Sequence, residues 1–189
     1  MKKLILGFML YMALPVSGKD LSLKGILIEP AKSILKKEFL DQTSRKVQFP
    51  AESQSYKLVF FGFTHCPMVC PTGLQKLKNV MGQLGKNNKT EYYFITIDAE
   101  RDSPERLKEF LPKFDQRIIG LTGNIADIVA MENQFNVIVR KFQGNSSDEY
   151  TMEHSGYIYL LNKTGQIMVL YPATASASDI SSDLKQILK

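Results

Sequence analysis

A short apolar run, Tyr56 to Phe63 with Lys57 its one charged residue, leads into the chain's only two cysteines, Cys66 and Cys70, and then into an amphipathic helical pattern. A short apolar run bounded by turn residues reads as a strand buried on both faces. From Pro71 onward, Leu74, Leu77, Val80, Met81 and Leu84 recur at helical spacing, and Gly85 ends the pattern. A strand covered on both sides needs a layer above and a layer below, so this unit points to an α/β sandwich. Two cysteines placed within one short loop do not staple distant parts of a fold.

The rest of the chain keeps that alternation. Segment 34–49 reads as a hairpin, with Ile34 to Leu40 and Lys46 to Phe49 flanking Asp41-Gln42-Thr43-Ser44. Glu91 to Ile97 is a second strand, ending at Asp98. Ser103-Pro104-Glu105 opens a helix with a hydroxyl cap and proline at its first position. Leu107, Phe110, Leu111 and Phe114 give that helix its inner face, and Pro112 ends it early. Ile118 to Leu121 reads as a strand and a helix opens near Asn124, whereas Gln143 to Glu149 reads as an exposed loop. Tyr157 to Leu161 and Gln166 to Tyr171 form a hairpin about Asn162-Lys163-Thr164-Gly165, and a last helix starts near Ser178. This order predicts a thioredoxin-like fold: a central mixed sheet flanked by helices, with an N-terminal β-hairpin.

Met1-Lys2-Lys3, an apolar run from Leu4 to Val16, and Ser17-Gly18 have the layout of a secretory leader. The apolar run is shorter than the ~20 residues of a membrane span. Residues 1–18 are therefore expected to be a signal peptide, cleaved after Gly18, and 19–189 the mature domain. With no cysteine at that boundary, no lipid anchor is expected. A domain of about 170 residues buries roughly 70% of its unfolded surface and needs no disulfide framework. The expected location is periplasmic or otherwise exported, as a monomer that is soluble after cleavage and membrane-anchored if the leader is kept. Once cleaved, it would meet the membrane only through a partner. The net charge of +5 falls to about +3 without Lys2 and Lys3. No basic block with interleaved aromatics occurs, so nucleic acid is not an expected partner.

In an oxidising compartment Cys66 and Cys70 can close a disulfide, although so small a loop adds little chain-entropy stability. Thiols at a helix N-terminus are also acidified by the unpaired N–H groups and the helix dipole. Two thiolates on one tight loop form a soft, chelating pair that favours Cu(I) over hard cations. The spacing serves either role. It is wrong for covalent haem attachment and one residue longer than the thioredoxin motif, and two histidines are too few for an ordinary structural zinc site. His154, just before the late hairpin, is a candidate third ligand, because that approach lies beside the thiol loop in thioredoxin-like folds. His65 is adjacent in sequence but should point the other way. Asp98, at a strand's end, reads as a carboxylate that orders its loop or holds Arg101.

Three separated motifs carry a resemblance. Phe61-Gly62-Phe63-Thr64-His65-Cys66-Pro67, with Val69-Cys70-Pro71, is the first. Thr96-Ile97-Asp98, continuing to Glu100-Arg101-Asp102-Ser103-Pro104-Glu105, is the second. His154-Ser155 before a tyrosine-rich strand is the third. In this order, from about Ser33 to the C-terminus, the chain resembles the Sco/SenC family. The resemblance implies copper, as Cu(I) or Cu(II), held by Cys66, Cys70 and His154. It implies delivery to a copper-accepting exported or membrane protein, the binuclear copper site of a cytochrome c oxidase subunit. It also implies thiol-disulfide activity through Cys66 and Cys70 as the alternative role, and a redox or copper sensor with a signalling partner is a third reading compatible with the same site. By the same resemblance His65 is not a ligand. The chain departs from the family pattern at Met68, where an acidic residue is usual, at Ala99 in place of proline, and at Glu153 in place of aspartate.

Overall fold

The apolar run Tyr56–Gly62 becomes a central strand, with every residue after Tyr56 buried. The computed structural model describes residues 22–86, 88–144 and 150–189. The expected leader and residues 145–149 of the expected exposed loop lie outside them. Over the described residues the strands are β1 (Ile26–Lys32), β2 (Lys37–Asp41), β3 (Lys46–Phe49), β4 (Tyr56–Gly62) and β5 (Thr90–Thr96). They continue as β6 (Ile118–Thr122), β7 (Val139–Gln143), β8 (Tyr150–His154), β9 (Ile158–Leu161) and β10 (Ile167–Tyr171). The helices are α1 (Val69–Leu84), α2 (Pro104–Phe110), α3 (Ile125–Phe135) and α4 (Ala177–Ile187), with a 3-10 turn at Leu111–Lys113.

Eight strands form one mixed sheet in the order β1-β10-β9-β4-β5-β6-β2-β3. Strands β4, β5 and β6 are parallel neighbours, and the remaining pairings are antiparallel. Successive side chains of β4 serve opposite layers. Phe60 packs on Gly73 of α1, where a β-carbon would stand 2.3 Å from the ring. Phe61 meets the ring of Phe135 in α3 edge-on, 4.9 Å between centroids. Helices α1 and α4 lie together, joined by a hydrogen bond from the Ser181 hydroxyl to Gln83. This is the thioredoxin-like α/β arrangement.

Most element starts follow the local chemistry read above. Ser103 accepts from the Arg106 N–H, Asn124 accepts from Asp127, and Ser176 forms a reciprocal capping box with Asp179. The helix that begins at Pro104 gives way at Leu111 to the 3-10 turn that contains Pro112. Helix α1 starts at Val69 rather than at Pro71. Proline is tolerated there because first-turn positions have no intrahelical N–H bond to lose. Two features differ from expectation. Edge strand β1 precedes the hairpin, and β7 pairs with β8 as a separate two-stranded ribbon where no strands were expected.

Candidate metal centre

The thiol loop hangs between β4 and α1. Helix α1 has Met68 at its N-cap, a side chain that cannot cap. Sulfur takes that role: the Cys70 N–H points at Cys66 Sγ, 3.4 Å away. The Phe63 N–H in turn points at Cys70 Sγ, 3.3 Å away. Cys70 can sit this close to the strand because residue 62 is glycine. A β-carbon there would stand 2.7 Å from Cys70 Sγ and 2.8 Å from the Phe94 ring. Both cysteines are free thiols, Cys70 fully buried and Cys66 open to solvent at 8%.

His154 arrives from the last residue of β8. Its Nε2 lies 3.2 Å from Cys70 Sγ. Its Nδ1 lies 3.1 Å from the Ser155 carbonyl oxygen, which can only accept. Nδ1 therefore carries the proton in the neutral ring, leaving the Nε2 lone pair facing the sulfurs. The rings of Phe60 and Phe63 flank the imidazole with centroids at 5.9 and 6.2 Å. Cys66, Cys70 and His154 thus offer three donor atoms within 4.8 Å of one another. Two soft sulfurs and one imidazole nitrogen form a donor set that matches copper chemistry.

The two thiols differ sharply in acidity. The hydrogen bond from Cys70, with help from the backbone N–H groups of the loop, draws Cys66 down to about 3 against the effect of burial. Cys70 goes the other way: it is the donor to a neighbouring thiolate, and burial adds to the rise. The pair loses its first proton readily, from Cys66, and its second only with difficulty.

A buried carboxylate braces the loop from behind. Asp102 accepts from the Thr64 N–H at 3.0 Å, the Thr64 hydroxyl at 2.6 Å and the Thr96 hydroxyl at 2.7 Å. Arg106 Nε donates to the same Thr64 hydroxyl oxygen at 3.1 Å. Burial pushes the Asp102 carboxyl up, and the threonine bonds oppose it. His65 turns towards this bracing group: its Nδ1 is 3.1 Å from Thr64 Oγ1 and 3.8 Å from Asp102. His65, Asp98 and Asp102 also converge within 4.8 Å. Their carboxylates are already committed, Asp102 to the threonines and Asp98 to Arg101 and Tyr150.

The β7–β8 ribbon is held to the body by Tyr150. Its hydroxyl donates to Asp98 at 2.5 Å and to Glu100 at 3.2 Å. The Arg101 guanidinium lies 3.6 Å from its ring centroid and the Lys141 ammonium 3.7 Å. Arg101 also bonds Asp98 at 2.6 Å and the Tyr150 carbonyl at 3.1 Å. Tyr150, Met152 and His154 alternate on the inward side of β8, between exposed Thr151 and Glu153. Sequence reasoning missed Thr64, Tyr150 and the bracing role of Asp102. The alternation from Tyr150 to His154 was the one signal that could have exposed the strand. Met68 stands 72% exposed at the mouth of the loop.

The chain as a whole is similar to known proteins. A family model described as SCO1/SenC matches residues 30–189. An SCO2-like protein of Rickettsia prowazekii is 34% identical over 146 residues, 76% of this chain and 71% of that relative. The copper-bound ScoI of Bradyrhizobium japonicum is 32% identical, with a TM-score of 0.73 over 80% of this chain and 97% of its own. Apo Sco1 of Thermus thermophilus is 25% identical with a TM-score of 0.78, over 90% of this chain and 100% of its own.

Proposed function

This chain belongs to the SCO1/SenC family, and on that premise we propose that it is a copper carrier in which Cys66, Cys70 and His154 hold the ion. One observation carries the reading. Donors 84 residues apart in sequence, the buried Cys70 Sγ and the half-buried His154 Nε2, meet at 3.2 Å. The copper-bound relative from Bradyrhizobium supports the same cargo. Reduced thiolates take Cu(I), and the imidazole widens the site to Cu(II). Copper passes by ligand exchange to an exported or membrane acceptor, the binuclear copper site of a cytochrome c oxidase subunit. Loading requires the dithiol, so closing a Cys66–Cys70 disulfide switches binding off. We place the carrier as a monomer outside the cytoplasm after removal of residues 1–18. Among the described residues no helix is long and apolar enough to cross a membrane.

Titration of the reduced mature protein with Cu(I) and Cu(II), beside His154→Ala, tests this reading. The expected result is one copper per chain, with affinity lowered at least about a hundredfold in the variant, beyond the 10- to 100-fold of outer-sphere changes. Absence of a tight one-to-one complex overturns it.

The asymmetry of the two thiols favours a second reading, thiol-disulfide exchange. The Cys66 thiolate would attack an acceptor disulfide, forming a mixed disulfide and releasing one acceptor thiolate. Cys70, giving up its proton, would then attack Cys66 sulfur and release the second acceptor thiolate. Two electrons pass to the acceptor, and the Cys66–Cys70 disulfide remains. His154→Ala separates the readings, because exchange needs no imidazole ligand and should survive it.

A further inference from the structure

Helix α3 breaks three local rules on one face. Ile125, Val129 and Glu132 follow one another at spacings of four and three, so they share one side of the helix. They line a cleft of about 300 Å³ together with Ile97, after β5, and Val139 and Met152 of the β7–β8 ribbon. Ile125 is left 55% exposed and Val129 44% exposed, two large apolar side chains with nothing over them. Glu132 sits in the last turn of α3, where the helix dipole opposes negative charge and no basic residue offsets it. It is also half-buried, and among the described residues no side chain or N–H is bonded to its carboxylate. Burial alone raises that carboxyl to about 7.

Lys141, the cation in the lining of the cleft, is already engaged. It pairs with Glu100 at 3.0 Å and lies over the Tyr150 ring. Asp98 and Glu100 line the same cleft, but each already has its cation, Arg101 and Lys141, which leaves Glu132 as the carboxylate without a partner among the described residues. The volume lies at the small end of the roughly 300–1,000 Å³ of ligand pockets, which suits one long side chain and its neighbours. A lysine or arginine fits both halves of the lining: its stem lies on apolar carbon and its head on the carboxylate. Folds keep violations of local rules where function needs them.

We propose that this cleft docks a partner protein through an exposed apolar segment bearing a lysine or arginine, whose charged head pairs with Glu132. Met152 and His154 share a face of β8, so the docked segment runs beside the strand that carries the histidine. The inference does not depend on whether that site exchanges copper or disulfides.

The test titrates isotope-labelled mature protein with acetyl-Leu-Arg-Leu-amide and with its glutamine counterpart, acetyl-Leu-Gln-Leu-amide, at a pH above the Glu132 titration. Saturable amide shifts confined to Ile125–Glu132 and the β7–β8 ribbon are expected for the arginine peptide. Affinity should drop about tenfold or more for the glutamine peptide, and equally for the arginine peptide on Glu132→Gln, as loss of a charge-assisted pair requires. No saturable shift in the cleft, or equal affinity for both peptides on the unaltered protein, overturns the proposal. The two-peptide comparison stands even if the variant fails to fold. Thermal melting of Glu132→Leu adds an independent arm. A higher Tm is expected, because an unpaired buried charge works against the fold. A lower Tm shows that Glu132 is kept for stability and also overturns the proposal.

Discussion

Two hairpins of this molecule solve the same problem in opposite ways. The β2–β3 hairpin closes itself. Asp41, at the end of β2, accepts from the Thr43 N–H and hydroxyl, from the Arg45 N–H and from Arg45 Nε, all between 2.6 and 3.1 Å. Strand β2 then joins the main sheet beside β6. The β7–β8 ribbon belongs to no larger sheet, and every residue of β7 after Val139 is exposed. What fixes it is a clasp of side chains: Tyr150 over Arg101, with Asp98 beneath. A hairpin tied to the sheet serves the fold. One tied by side chains serves the residue at its end, His154, and its grip can be altered without unravelling the core.

Breaking the clasp outright should have the largest effect. Arg101→Ala removes the cation from the Tyr150 ring and leaves Asp98, only 4% exposed, without its ion-pair partner. Breaking a buried pair costs about 3–5 kcal/mol. The Arg101 side chain retains 23% exposure, so about 2–3 kcal/mol is expected in chemical denaturation. Copper affinity should fall with it, as measured by competition with a chromophoric Cu(I) chelator. Unchanged affinity would mean that the ribbon is positioned by something other than this clasp.

The self-closed hairpin should answer differently. Burial raises the Asp41 carboxyl, but the bonds from Thr43 and Arg45 outweigh it and hold the group at about 2, below its ordinary 3.8. A depressed carboxyl contributes stability that is whole above the unfolded value and is lost as pH falls through the folded one. The contribution is about 2 kcal/mol at neutral pH and should fade from about pH 4 towards pH 2. Asp41→Asn should lose about that much stability at neutral pH and flatten that acid limb in urea titrations at stepped pH. Copper affinity should not move. A fall in affinity would show that the two hairpins are coupled.

The contrast also explains what the sequence could reveal. The β2–β3 hairpin was legible because its turn residues, Asp41 to Ser44, carry their own bonding partners. The β4–α1 unit was legible because a buried strand and an amphipathic helix each leave a period. Strand β7 leaves none, since Val139 alone faces inward and Arg140, Lys141, Phe142 and Gln143 are exposed. In β8 the inward residues are Tyr150, Met152 and His154, and a polar inward histidine reads locally as a turn. Strand β1 is an edge strand carrying Pro30, which a ladder tolerates only at an edge or bulge. At the candidate site, the thiols announce themselves by spacing. Their bracing by Asp102 depends on a fold that carries residue 102 back to Thr64, and no local pattern encodes that. The self-closed parts of this molecule were readable, and the tertiary clasps were not.

The finest probe of the contrast is Tyr150→Phe. The ring stays, so Arg101 and Lys141 keep their aromatic partner. Only the hydroxyl bonds to Asp98 and Glu100 are lost. Asp98 retains Arg101, so the stability cost should be about 1.5 kcal/mol, the low end for a hydroxyl bonded to charged groups. If the clasp exists to aim His154, the small stability change should accompany about tenfold weaker copper binding, the low end of outer-sphere effects on metal sites. Hydrogen exchange should quicken in the β7–β8 amides and stay unchanged in β4. Equal slowing or quickening across both regions would assign Tyr150 to general stability. Weaker binding with a local change in exchange would instead mark the ribbon as an adjustable arm. The thiols are then set by the core, and the imidazole is brought to them by a clasp that one hydroxyl can loosen.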